Sequence, residues 1–275
     1  MNSGAYRWFP IPALLLLVLA YLVPLSQVLM ISVTDPELGL GNYALLVTSP
    51  SIARVLATTA RICVITATAA LVLGYVVAYC MTQARPAVRR LMLVGVLLPL
   101  WVSVLARSFA WVTLLRREGV VNSVLMGAGL IQSPLPLMWN EFGVSVGMIH
   151  TMLPYAILPM ASHMRGLDPA LMAAARGMGA SRAQAFRRVF LPLSLPGVIG
   201  AGVLVLIFSL GFYVTPVLLG GGRVRMVAEY ISLQIQELLQ WGTGTMLATA
   251  LIAAIGLLLF LLSRAVGLRA LSGAR

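Results

Sequence analysis

Lysine is absent from this 275-residue chain, and aspartate and glutamate together number only seven. Without lysine there is no Gly-Lys-Ser/Thr phosphate loop, so glycines 220 to 222 do not cradle a nucleotide. Only 9% of residues are charged, too few to cover the surface of a soluble domain. Cysteine is scarce as well. Cys63 and Cys80 share one apolar segment, where a helix holds them roughly 25 Å apart, beyond disulfide reach, and both read as buried thiols. No carboxylate pair, His-x-x-His cluster or nucleophile with a base is present. The reading is therefore no catalytic residue, no metal and no cofactor bound by this chain, which argues against a membrane enzyme.

What fills the chain instead is apolar: 60% hydrophobic residues and a mean hydropathy of +0.99. A bilayer core of ~30 Å takes about 20 apolar residues per helix. Runs of that length fall at 9–33, 54–82, 91–115, 142–164, 196–219 and 242–264. They predict an all-α membrane protein of six transmembrane helices, forming one transmembrane domain over residues 1–275. The first run resembles a signal peptide but exceeds the usual apolar core of about 7 to 15 residues, and no convincing cleavage site comes after it. It is therefore counted as a span. In the second run Arg54 and Arg61 sit at one end, where they can snorkel. Between Arg116 and Asn140, Val120 to Ile131 is expected to form a short interfacial helix before the Ser133-Pro134-Leu135-Pro136 break.

All 19 basic residues are arginine, and they are not spread evenly. Twelve fall in four segments: Arg7; Arg85, Arg89 and Arg90; Arg165, Arg176, Arg182, Arg187 and Arg188; and Arg264, Arg269 and Arg275. Six spans put all four on one side, and Asp168 is the only acid there. The positive-inside bias makes that side, and both termini, cytoplasmic. Arginines scattered between apolar runs form no basic domain, so nucleic acid is not an expected partner.

The connection at 165–195, between the fourth and fifth spans, carries too many arginines to enter the membrane. Asp168-Pro169 supplies an N-cap and a first-turn proline. Leu171, Ala174, Ala175 and Met178 then share one small, apolar helical face. A short helix and then a turn at Gly177 and Gly179 are expected, with a face on which a partner can dock closely.

Ala173-Ala174-Ala175, three residues, Gly179, nine residues, then Val189-Phe190-Leu191-Pro192 resembles the EAA loop of ABC importer permeases. That loop reads Glu-Ala-Ala, three residues, Gly, nine residues, Ile-x-Leu-Pro. Two departures stand out: Ala173 replaces the glutamate, and Gly177 replaces an aspartate often found two residues before the glycine. The resemblance extends along most of the chain. Leu73-Gly74-Tyr75, Leu98-Pro99 with Trp101, Ala106-Arg107-Ser108-Phe109-Ala110-Trp111, Leu153-Pro154-Tyr155 and Leu218-Leu219-Gly220-Gly221 are similar to spermidine/putrescine-type permeases. The family implies the type I importer fold and a coupling helix seated in a groove of an ATPase. Its implied partners are an ABC ATPase dimer carrying ATP and Mg, a second permease subunit in a heterodimer, a periplasmic solute-binding protein and membrane lipid. Ala174, Ala175 and Gly179 would keep the steric fit. Arg176, Arg182, Arg187 and Arg188 would pair with acidic groups on the ATPase or with anionic lipid.

Candidate pathway residues lie in three spans. Ser103, Arg107 and Trp111 are expected on one helical face. For Arg107, lining the solute route and snorkelling beside a tryptophan both stand. Pro154 and Pro159 each remove a helical hydrogen bond, and the fourth span is expected to open there, beside His150 and Tyr155. His150 and His163 are favoured as neutral residues bonded to a neighbouring helix. In the fifth span Phe212, Tyr213 and Thr215 precede a second break at Pro216, where carbonyls and aromatic faces can hold an amine. Packing is the favoured role for any one of these aromatics. Phe212 and Val217 stand where many relatives carry glutamates, so a dication would meet few counter-charges. The expected function is the permease subunit of an ATP-driven importer of a small polyamine-like, amino-acid-like or opine-like solute. A stand-alone ion-coupled secondary transporter is the alternative, but its spans would need acids that these lack.

Overall fold

The computed structural model describes residues 11–266. Arg7, Arg269, Arg275 and the first two positions of the 9–33 run lie outside the described residues. Twelve helices are described: α1 (Ile11–Thr34), α2 (Gly41–Thr48), α3 (Pro50–Gln83), α4 (Pro86–Trp101), α5 (Val104–Leu115), α6 (Val120–Gly127), α7 (Glu141–Arg165), α8 (Pro169–Gly177), α9 (Arg182–Leu210), α10 (Val214–Gly220), α11 (Val227–Gln236) and α12 (Trp241–Val266). No strand occurs among the described residues. Five helices are long and apolar enough to cross a membrane, and the stretches Pro86–Trp101 and Val104–Gly127 pass that test only together, bent by 98°.

The described residues divide into two compact units, one of 11–55 with 227–258 and one of 56–226 with 259–266. In the first, Ile52, Met246 and Leu247 form a small core under Tyr43 and Tyr230. Asn42 donates to the carbonyls of Ser32 (3.2 Å) and Asp35 (2.6 Å). The Asp35 carboxylate in turn accepts from the Gly242 N–H at 2.6 Å. A negative charge thus sits at the first turn of α12, where the helix dipole favours it. A side chain at Gly242 would meet the Asp35 carbonyl at 2.1 Å.

In the second unit α3, α7 and α9 approach closely because the residues between them are small. Ala70, Ala78, Ala156, Ala161 and Ala201 are buried. A Cβ at Gly74 would lie 3.0 Å from Met160, and one at Gly197 only 2.7 Å from His163. Lipid tails are as apolar as leucine, so close packing of this kind, rather than hydrophobicity, holds membrane helices together. Flexible Met148, Met152, Met160 and Met164 fill the remaining space. Tyr75 and Ser194 share a hydroxyl hydrogen bond of 2.9 Å, and His163 Nε2 lies 3.0 Å from the Leu193 carbonyl. Cys63 is buried as expected, whereas Cys80 is exposed.

Several expectations need correction. The 91–115 run is not one helix, because it breaks at Val102 and Ser103, just beyond Pro99. The 142–164 run is one unbroken helix through Pro154 and Pro159. Each proline deletes one bond, but packing on neighbouring helices holds the axis. The 196–219 run is displaced: its helix begins at Arg182 and ends at Leu210. The break comes at Gly211–Tyr213, and Pro216 falls in the first turn of α10, where an N–H would have no helical partner anyway. Arg61 does not merely snorkel, since it pairs with Glu141 at the start of α7. The interfacial helix stops at Gly127. Asn122, fully buried, anchors the stretch beyond it by donating to the Leu135 carbonyl (3.0 Å) and accepting from the Leu135 N–H (2.9 Å).

Candidate functional site

Two groups of residues in the second unit carry the functional argument. The first is the arginine-rich connection. Asp168 Oδ1 accepts from the Ala170 N–H at 2.8 Å, with Pro169 opening α8, as the sequence indicates. The turn after α8 depends on Gly179, whose φ of +90° is a conformation L side chains rarely adopt. Ser181 and Gln184 then close a reciprocal capping box, Gln184 N–H to Ser181 Oγ at 3.2 Å and Ser181 N–H to Gln184 Oε1 at 2.9 Å. Half of the supposed loop is therefore the first turns of α9. A wide, π-type turn at Phe186–Phe190 ends two residues before Pro192. It falls where the proline ring would otherwise crowd the carbonyl of Arg188.

Leu171, Ala173, Ala174, Arg176, Met178, Gly179, Arg182, Arg187, Arg188 and Pro192 are all exposed. Ala175 is the exception: it is 8% exposed and faces inward, so it packs α8 rather than offering a surface. Ala173, Arg176, Gly179, Ser181, Arg182 and Gln184 border an open hollow of about 630 Å³.

Behind that surface lies a feature the sequence does not announce. Phe186 and Phe190 stack at 5.7 Å, and the Tyr79 ring meets both edge-on at 5.2 Å. Tyr75 adds an edge contact to Phe186 at 6.4 Å. The base of α9 is thereby keyed to α3. The one signal of it is the i, i+4 spacing of Phe186 and Phe190 around an arginine pair.

The second group surrounds the breaks. Ser103 is exposed at the corner between α4 and α5 and does not continue the face of Arg107 and Trp111. Arg107 is buried at 8% exposure, and its Nη1 donates to the Pro99 carbonyl at 2.6 Å. That oxygen belongs to the last turn of α4, which has no helical donor of its own. A cation there also favours the helix C-terminus. Arg107 thus ties the corner together, and its Nε has no hydrogen-bond partner among the described residues. Trp111 Nε1 donates to His150 Nδ1 at 3.1 Å, which places the imidazole proton on Nε2. Ser108 and Thr215 share a buried hydroxyl hydrogen bond of 3.0 Å. Tyr155 packs on Phe208 at 4.7 Å. Phe212 is half-buried against the core, while Tyr213 is exposed. No cluster of three His, Cys, Asp or Glu able to hold a metal occurs among the described residues.

Long apolar helices, one bent helix pair and a capped, arginine-bearing segment leading into a span describe a multi-spanning membrane protein. Residues 70–271 match the binding-protein-dependent transport system inner membrane component family, and the chain belongs to that family. The spermidine/putrescine transport system permease protein PotB of Haemophilus influenzae is 34% identical over 71% of this chain and 68% of its own length. PotB of Escherichia coli K12 is 31% identical over 82% of each. The fold matches a solved bacterial alginate ABC transporter, crystallised with an alginate-bound periplasmic protein. There the TM-score is 0.80 at 16% identity, covering 96% of this chain and 94% of that one. The protein is thus the permease subunit of an ABC importer of the inner membrane with the type I fold, and its family implies ATPase and binding-protein partners.

Proposed function

We propose that this chain imports a polyamine-like solute in a heterodimer with a second permease. A partner ATPase dimer hydrolyses ATP and docks at the segment from Asp168 to Pro192. The arginine-rich ends, and with them both termini, face the cytoplasm. The observation that carries the docking is the pair of capped helices meeting at Gly179. They present small and basic side chains around an open hollow and are keyed by aromatic rings to α3. The solute class rests on the two PotB relatives. Arg107 favours a second class, an amino-acid-like or opine-like solute bearing a carboxylate. Its Nε is an unused donor within a cluster that holds no acid among the described residues.

The test has two stages. The cognate binding protein is screened by thermal shift against polyamines, amino acids and opines, and the hit is then assayed for stimulation of ATP hydrolysis by the assembled complex. A polyamine hit that stimulates hydrolysis supports the first class, and a carboxylate-bearing hit replaces it by the second. Uptake into liposomes by this chain with no ATPase present would overturn the whole reading.

A further inference from the structure

At the arginine-rich end of the second unit a groove of about 200 Å³ opens between α4, α7 and the end of α3. Its floor is apolar, formed by Met81, Leu93, Leu158 and Ala161, and its rim carries Arg89, Arg90 and Arg165. This composition matches neither a packing defect nor a solvated surface. Three arginines line one slot, Arg89 and Arg165 also bordering the adjoining hollow that holds Asp168, and none of the three is in an ion pair among the described residues. Arg165 spends only its Nε, on the Ala161 carbonyl at 3.3 Å. Asp168, the one acid of this end in the sequence, is engaged in capping α8.

The start of α4 adds a second attraction of the same sign. Pro86, its first residue, also lines the groove, and no side chain caps its first-turn N–H groups. The positive end of the helix dipole therefore points at the space the arginines surround. A ligand that fits must be anionic at the rim and apolar below, and it must be reached from the membrane, since the groove lies where apolar spans give way to arginine.

We infer that this groove binds an anionic phospholipid, its phosphate held by Arg89, Arg90 and Arg165 and an acyl chain resting on Leu93, Leu158 and Met81. Basic pockets between helices at this depth are suited to such headgroups, whose phosphate they hold by charge.

The complete importer, purified with its partner subunits, is analysed by native mass spectrometry after exchange into vesicles of phosphatidylglycerol, cardiolipin and phosphatidylcholine. Wild type retains phosphatidylglycerol or cardiolipin. The triple variant Arg89→Gln, Arg90→Gln, Arg165→Gln loses that retention by about tenfold or more. A matched triple lysine variant keeps most of it, because charge is preserved. Inorganic phosphate at millimolar concentration leaves wild-type retention unchanged. Retention equal to wild type in the glutamine variant overturns the inference. So does equal loss in the lysine variant, which would report disturbed packing. Displacement by inorganic phosphate would assign the arginines to a free anion instead. Absence of anionic lipid from the wild-type complex would mean that a protein surface fills the groove.

Discussion

Gly179 shows how much one residue can set. With φ at +90° and nothing within 4 Å of where its Cβ would stand, a substitution there strains the backbone without touching the core. Alanine should cost about 1–2 kcal/mol locally. We expect Gly179→Ala to lower the melting temperature of the purified chain by no more than a few degrees while ATPase co-purification falls, which a pull-down measures. Asn122 is the opposite case. It is buried, and both ends of its amide are used on the Leu135 backbone. Asn122→Ala should therefore destabilise by about 2–3 kcal/mol, seen as a lower melting temperature in detergent, with ATPase binding intact. The two residues were not equally legible in the sequence. Gly179 stood out through its motif spacing, whereas Asn122 was one polar residue in a semi-apolar stretch, and its partner, the backbone of Leu135, leaves no mark in the sequence.

At the scale of elements, spans were legible and their joints were not. Twenty apolar residues announce a helix by composition alone, but composition says nothing of direction, so the corner at Val102 and Ser103 is indistinguishable in the sequence from continuous helix. Prolines misled in both senses. Pro154 and Pro159 lie in an unbroken α7, while Pro99 closely precedes a true break, because packing on neighbours decides whether a lost bond becomes a bend. The aromatic key between α3 and α9 carries the clearest prediction at this scale. Phe190 is 7% exposed, and truncating a buried phenylalanine costs about 3–5 kcal/mol. Phe190→Ala, at a buried position, should retain the ATPase yet lose most solute uptake per ATP hydrolysed in proteoliposomes. Phe190→Tyr or Phe190→Leu, which keep most of the volume, should recover much of it. Tight crossing of α7 and α9 makes a fourth test. Gly197→Val would drive a branched side chain into His163 and should abolish stable expression, whereas substitution at Gly200, with open space beside it, should be tolerated.

At the scale of the whole molecule, the class of protein was legible because apolar runs and a spaced motif are both linear features of a sequence. The pathway was not. Ser103, Arg107, Trp111, His150, Tyr155, Phe212, Tyr213 and Thr215 form no linear pattern; the structure joins Trp111 to His150, whereas Thr215 pairs with Ser108, outside that set. Helix α9 stays one continuous element through 29 residues from Arg182 to Leu210, its π-type turn at Phe186–Phe190 included, about 43 Å long at 1.5 Å per residue. One end carries the exposed arginines, and the other ends at the short link Gly211–Tyr213. An element of that length tilted as one body by about 5° about one end carries the other through nearly 4 Å. A rotation smaller than a side-chain rotamer change at the arginine end is therefore, by leverage alone, a displacement wider than a water molecule at the aromatic end.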